Sequence, residues 1–329
     1  MTGVQTCALP IYSPVPGSAT LNNPPLKNLP ASVHQRLMNE AKRTTRPFNE
    51  LLQYFSMERF LYRLSRSPYA PNFILKGALM MCVWEGSSLP RPTLDIDLLG
   101  RRINNAVDSL VRVIGEVCDQ RVEPDGLVFD RKSVEGVRIA QGVGHEGVRV
   151  RFTGSLGKAR INMQLDVGFG DVVVPDDELL NYPTILDFPA PRLRGYTRES
   201  TVAEKLEAAM RYGALNSRMK DFFDIWWVSR QFEFDGATLA EAIKKTFANR
   251  GSEIVPEPLP LTAAFGEDQD RKVQWRAFRR KSRLEFAPED LQEVTTVVAT
   301  FLKPVVAALA SNQSFRAIWT PPGPWSQAP

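Results

Sequence analysis

Between Leu127 and Gly168 the chain sets four strand-like segments one after another, separated only by Gly-rich turns: Leu127 to Phe129, Ser133 to Ala140, Gly147 to Phe152 and Ala159 to Gly168. A run of neighbouring strands with no helix between them favours an antiparallel or mixed sheet over a doubly wound one. The last segment is the most regular. In Arg160-Ile-Asn-Met-Gln-Leu-Asp-Val167, the apolar Ile161, Met163, Leu165 and Val167 fall on one face, and Arg160, Asn162, Gln164 and Asp166 on the other. A strand of this length belongs in the middle of a sheet.

A second strand-like stretch, Thr93 to Leu99, carries Asp95 and Asp97 on one side and Leu94, Ile96 and Leu98 on the other. Two carboxylates this close repel by about 4 kcal/mol at 4 Å with an effective dielectric near 20. That pairing is tolerated most easily where a cation sits between them, as in the metal sites of phosphoryl and nucleotidyl transfer. Asp166 would make a third carboxylate if its face is continuous with that of Asp95 and Asp97. The plainer reading of all three is a solvated strand face. Upstream, Phe73 to Lys76 reads as a short buried strand and Gly77 opens a helix to Trp84. Backbone N–H groups at such a turn can hold a phosphate, and glycine permits close approach; an ordinary strand-to-helix turn has the same pattern.

The 329 residues, 43% hydrophobic and 24% charged, suit a globular protein of two domains or one with a large appendage. No apolar run approaches the roughly 20 residues of a membrane span, so no membrane association is expected. A net charge of +4 is too small to argue for nucleic acid by itself. Residues 1–11 resemble the translation of a common sequencing adapter and are set aside as an assembly artefact, and residues 12–30 read as a flexible lead-in. The remaining thiols, Cys82 and Cys118, are scattered, which fits a reducing cytoplasm. With only His34 and His145, neither a zinc site nor a histidine base is expected.

Helical spacing marks two helices between Ala31 and Ser65, broken near Thr44 to Pro47, and another from Ile103 to Cys118. Beyond Pro191 the pattern turns helical. Thr201-Val-Ala-Glu204 reads as a capping box for a helix to Tyr212, followed by helices over Lys220 to Arg230 and Gly236 to Ala248. After a linker marked by Pro256, Pro258 and Pro260, helix resumes from Gln269 to Leu309 with a break at Ala287-Pro288. The expected organisation is a core over residues 31–195, a helical domain over 196–310 and a Pro-rich, frayed tail over 311–329. Arg192, Arg194, Arg198, Arg211 and Arg218 are expected near the cleft. The segment Arg271 to Lys281, basic with interleaved Trp275 and Phe278, offers a surface for an RNA backbone, or simply a helix with a charged outer face.

Five motifs in order, Phe73-Ile-Leu-Lys-Gly-Ala78, Arg91-Pro-Thr-Leu-Asp-Ile-Asp-Leu98, Gln164-Leu-Asp-Val167, Ala203-Glu-Lys-Leu-Glu-Ala208 and Arg218-Met-Lys-Asp-Phe-Phe-Asp-Ile-Trp226, resemble the AbiEii/AbiGii toxin family of nucleotidyltransferases. The resemblance runs from about Pro47 to Arg230, and Gln274 to Phe278 is similar to a motif in the C-terminal part of some members. One departure is Ala78, where many members carry a second glycine or a serine. The resemblance implies an α+β fold, a DNA polymerase β-like nucleotidyltransferase core with a mixed or antiparallel sheet and a helical C-terminal domain. It further implies a cytoplasmic toxin of a type IV toxin–antitoxin or abortive-infection system, with an operon-encoded DNA-binding antitoxin as partner. The implied substrates are an NTP and, as acceptor, the tRNA 3′ end.

By position, Asp95 and Asp97 match the family's metal-binding pair for Mg²⁺, with Mn²⁺ as the substitute, and Asp166 is the third candidate ligand or base. Lys205 matches the triphosphate-contacting lysine and Asp224 a carboxylate needed for activity. Lys76, Gly77, Ala78, Arg91, Thr93, Lys220 and Asp221 are expected to bind substrate. Read without the resemblance, Lys205 is a solvated lysine on an amphipathic helix, and Lys220 with Asp224 is an i, i+4 salt bridge. Two other functions stay open: the same chemistry on a small molecule or protein hydroxyl, and a non-catalytic module that binds nucleotide or RNA.

Overall fold

The computed structural model describes residues 28–86, 89–140 and 146–327; the artefact assigned to residues 1–11 and most of the lead-in lie outside them. Helices α1 (Leu29–Thr44) and α2 (Phe48–Arg66) lead to strand β1 (Phe73–Lys76), α3 (Leu79–Glu85), β2 (Ile96–Gly100) and α4 (Val107–Cys118). Strands β3 (Leu127–Ala140), β4 (Glu146–Leu156), β5 (Ala159–Phe169), β6 (Glu178–Asn181) and β7 (Arg192–Gly195) complete the first half. The second half holds α5 (Arg198–Tyr212), α6 (Met219–Gln231), β8 (Phe234–Asp235), α7 (Gly236–Arg250), α8 (Ala263–Glu267), α9 (Gln269–Lys281), α10 (Leu291–Ala310), β9 (Ala317–Trp319) and β10 (Trp325–Gln327).

The large sheet has the order β3-β4-β5-β2-β1-β7-β6. It is mixed: β2 runs parallel to β5 and β1 parallel to β7, while the β1–β2, β3–β4, β4–β5 and β6–β7 pairs are antiparallel. The expected fold class therefore holds. Leu165 and Val167 of β5 and Ile96 and Leu98 of β2 are buried with Leu37, Phe55, Phe60 and Ile114 of α1, α2 and α4 in one apolar core. The opposite sides of β2 and β5 carry the polar residues. A second core joins α5, α6, α7, α9, α10 and the small sheet, and Met81 of α3 and Val174 insert into it.

Several elements differ from expectation for local reasons. The break between α1 and α2 is real, with Thr45 left-handed at φ 55° and Pro47 ahead of α2. Helix α5 starts four residues earlier than the capping box implied, because the Thr197 side chain accepts the Ser200 N–H. Strand β2 begins at Ile96, where pairing with Leu165 begins, so Asp95 precedes the ladder. The two segments on either side of Asp130 are one strand, bulged between Asp130 and Glu135.

Residues 312–327 are not frayed. Trp319 is fully buried and its indole N–H donates to the Ser229 carbonyl at 2.6 Å, pinning the β9–β10 hairpin to the helical half. The expectation that no segment has the makings of a membrane span also needs correction. Helix α10 is long and apolar enough by length and composition, and in this fold one of its faces (Leu291, Val294, Val298, Phe301, Leu302, Val305 and Val306) fills the second core.

Candidate active site

The parallel pairing of β2 with β5 sets Asp97 directly beside Asp166, and the antiparallel β1 partner of Asp97 is Lys76. Asp95, two residues before Asp97, is anchored by Thr93, whose hydroxyl donates to Asp95 Oδ1 at 2.6 Å. One carboxylate oxygen from each of Asp95, Asp97 and Asp166 lies within 4.8 Å of the others. Burial and then the charge of Asp95 push the Asp97 carboxyl up to about 6. Gly77, at φ +72°, makes this possible, since a Cβ there would lie 2.0 Å from Asp97 Oδ2.

The donor set fits a hard divalent cation. All three ligands are carboxylates, the hard oxygen donors such a cation takes, and one oxygen of each lies within 4.8 Å of the others. Burial and the neighbouring Asp95 both disfavour an ionised Asp97, and a cation in the triad would offset both. Asp166 has a second partner that sequence reasoning missed: Arg149 grips it bidentately, Nε to Oδ1 at 2.8 Å and Nη2 to Oδ2 at 2.6 Å. The signal was present. Strands β4 and β5 form a hairpin with Leu156 opposite Ala159, and counting equally outward from that turn pairs Arg149 with Asp166.

The other wall of the cleft comes from α5 and α6. The Lys205 ammonium lies between two carboxylates, 3.0 Å from Asp221 Oδ1 and in contact with Asp224. Arg91 holds Asp224 bidentately at 2.6 and 2.8 Å, and Arg218 Nε reaches Asp221 Oδ2 at 2.6 Å. Burial alone would raise the Asp221 carboxyl, but Lys205, then Arg218 and Lys220, outweigh it and hold the group well below its ordinary range. For Asp224 burial is likewise outweighed, by Arg91 first and Lys205 second. Lys205 is thus no solvated lysine, and Asp224 is fully buried behind Lys205 rather than facing the cleft. Lys220 makes no i, i+4 bridge to Asp224 among the described residues and stands exposed at the cleft.

Lys76 is engaged too. Its ammonium is 2.7 Å from Asp171 and 3.1 Å from Glu204, and Arg250 meets the same two carboxylates and Glu207 at 2.9, 3.3 and 2.9 Å respectively. Burial would raise Asp171, yet Lys76 and Arg250 hold it at about 2. This network, unforeseen apart from Lys76, locks α5 and α7 onto the end of β5.

Between the two walls lies a cleft of ≈ 330 Å³ lined by Lys76, Gly77, Ala78, Arg91, Asp95, Asp97, Asp166, Lys205, Lys220 and Asp221, all expected from sequence. Thr93 and Asp224 stand behind this lining, one holding Asp95 and the other holding Arg91 and Lys205. Of the arginines expected near the cleft, Arg211 and Arg218 line it. Arg192, Arg194 and Arg198 do not: Arg194 pairs with Asp177 and Arg198 lies over Phe232.

An acidic triad at the sheet facing a cationic helical wall is the kind of site that moves phosphorylated groups. The family described as "Nucleotidyl transferase AbiEii toxin, Type IV TA system" matches residues 59–298. The chain belongs to that family and is a nucleotidyltransferase of the toxin–antitoxin type. Among solved structures, JHP933 from Helicobacter pylori is similar at 15% identity and a TM-score of 0.44, covering 86% of this chain and 94% of that one. A candidate nucleotidyltransferase from H. pylori is similar at 15% identity and a TM-score of 0.43, covering 86% and 96%. No curated protein matches.

Proposed function

We propose that the protein transfers a nucleoside monophosphate from an NTP to the 3′ end of a tRNA, with Mg²⁺ held by Asp95, Asp97 and Asp166 and Mn²⁺ able to substitute. The observation that carries this reading is the triad itself, three carboxylates gathered within 4.8 Å against their mutual repulsion in the cleft of a nucleotidyltransferase-family chain. In the reaction, the acceptor hydroxyl oxygen bonds to the α-phosphorus and the bond from that phosphorus to the β-bridging oxygen breaks. Pyrophosphate leaves with the electron pair, and the hydroxyl proton passes to a carboxylate of the triad. A divalent cation, when bound, offsets the charge of the α-phosphate and the departing pyrophosphate.

The protein's own groups do the positioning. Gly77 gives the Asp97 carboxylate its room and lines the cleft that would take the phosphates. Lys220 and Arg218 supply cationic charge on the helical wall. An ammonium has three donors; Asp221 and Asp224 take two of those on Lys205, leaving one for a phosphate oxygen. Asp224 acts as a positioning residue through Lys205 and Arg91. An operon-encoded DNA-binding antitoxin is the partner that the toxin–antitoxin family implies.

The test is incubation of the full chain with each α-³²P-labelled NTP, Mg²⁺ and total tRNA. Label at the tRNA 3′ end, lost in Asp97→Asn, is the expected result. Label on protein or on a small molecule instead would move the acceptor to those classes. Growth arrest on expression that survives Asp97→Asn would overturn catalysis altogether.

A further inference from the structure

A second and larger trough, ≈ 1050 Å³, shares Asp95 with the cleft, whereas Gly77, Lys205 and Lys220 line the cleft and not the trough. Its floor follows from a mismatch in strand length. Strand β2 pairs with β5 only from Leu165 onward, so the stretch Arg160 to Gln164 has no strand on that edge. Gln53 of α2 reaches it there, donating to the Asn162 carbonyl at 3.1 Å. On the face that carries Asp166, Gln164, Asn162 and Arg160 follow at two-residue steps of about 6.6 Å, on the order of one extended nucleotide. Across the ladder Arg151 pairs with Gln164, its Nε donating to Oε1 at 3.2 Å. Arg160 is exposed and makes no ion pair among the described residues. Leu94 is 74% exposed at the rim, an apolar surface beside the triad.

We propose that this trough carries the acceptor, the last single-stranded nucleotides of an RNA 3′ end. Arg151 and Arg160 meet its phosphates and Asn162 and Gln164 its base edges. This rests on the nucleotidyl-transfer reading. In-line displacement requires the attacking hydroxyl to enter opposite the departing pyrophosphate. With the phosphates at Gly77, Lys205 and Lys220, the opposite exit from the triad is this trough. The rival basic surface is committed in part: on α9, Arg271 donates to the Ala214 carbonyl and lies over Phe265, Arg279 donates to the Ala287 and Glu285 carbonyls, and Trp275 is buried, which leaves Arg276 and Arg280 among its exposed cations.

The experiment compares steady-state transfer to total tRNA by the wild type, Arg151→Glu/Arg160→Glu, Asn162→Ala and, on α9, Arg276→Glu/Arg280→Glu, with melting temperature as the check on folding. The groove double variant should raise the KM for RNA at least about tenfold, leave the KM for NTP within about twofold, and flatten the log–log salt slope by about 1.4, the value for two single-strand phosphate contacts. Asn162→Ala, at an exposed position, should raise the RNA KM several-fold without changing the salt slope. Unchanged RNA KM in both groove variants, or loss confined to the α9 variant, overturns the proposal. A wild type that labels only a protein, with labelling lost in the groove variants, overturns it in favour of a protein strand pairing along β5. A wild type that labels nothing sinks the transferase reading itself.

Discussion

Two acidic clusters face each other across the cleft, and their charges are handled in opposite ways. On the sheet, Asp95 and Asp97 sit together and, of the three, Asp166 alone has a guanidinium partner among the described residues; burial, and then the charge of Asp95, push the Asp97 carboxyl up to about 6. On the helices, Asp221 and Asp224 are balanced by Lys205, Arg91 and Arg218, and both carboxyls are held low. A balanced cluster fixes geometry; an unbalanced one stores repulsion that a proton or a cation can relieve. The first holds Lys205 in position, and the second is where a cation would bind.

That contrast breaks most visibly under mutation. Asp224→Ala strands Arg91 and Lys205 in a buried site and should cost about 3–5 kcal/mol of stability, read as a lower urea midpoint at constant slope. Asp97→Asn should do the reverse. Removing one of two repelling carboxylates should leave the melting temperature equal or higher, while transfer falls about 10³-fold, roughly 4 kcal/mol of barrier. If Asp97→Asn destabilised the fold and Asp224→Ala did not, the two clusters would have exchanged roles. Gly77→Ala comes next in size. It forces a Cβ into the Asp97 carboxylate and strains a left-handed turn, so a stability loss of about 1–3 kcal/mol should accompany loss of transfer. Retained activity with an intact melt would show that the turn can open away from Asp97.

The two clusters also differ in how far they could be read from the chain. The alternation of β5 and the spacing of Asp95 and Asp97 are period-2 facts, local to each strand, and the register that joins them needed only the sheet to be mixed. The helical cluster is not local. Arg91 meets Asp224 across 133 residues, and nothing in the amphipathic pattern of α5 tells a solvated Lys205 from one drawn inward by two aspartates. The motif resemblance supplied those residues but not their burial. The tail was misread for a related reason. Pro-rich composition signals a lack of regular local structure, whereas the burial of Trp319 depends on a groove made by α6 and α10.

The smallest effect sharpens the contrast most. Asp97 titrates near 6 in the native state and near 3.8 when unfolded, so between those values the native state holds the extra proton. Without divalent cation, stability should therefore fall as pH rises from about 4 to 6, by on the order of 1–3 kcal/mol. Mg²⁺ favours the ionised triad and should reverse the trend, adding about 2.7 kcal/mol at a concentration 100-fold above its Kd. The Mg²⁺-dependent rise in melting temperature should be several degrees at pH 7.5 and nearly absent at pH 5, and Asp97→Asn should abolish it at both. Asp221, balanced by internal cations, should show no such dependence: Asp221→Asn should lower the melting temperature by the same amount with and without Mg²⁺. A Mg²⁺ response lost equally in both variants would mean that the helical wall, too, is part of the cation site.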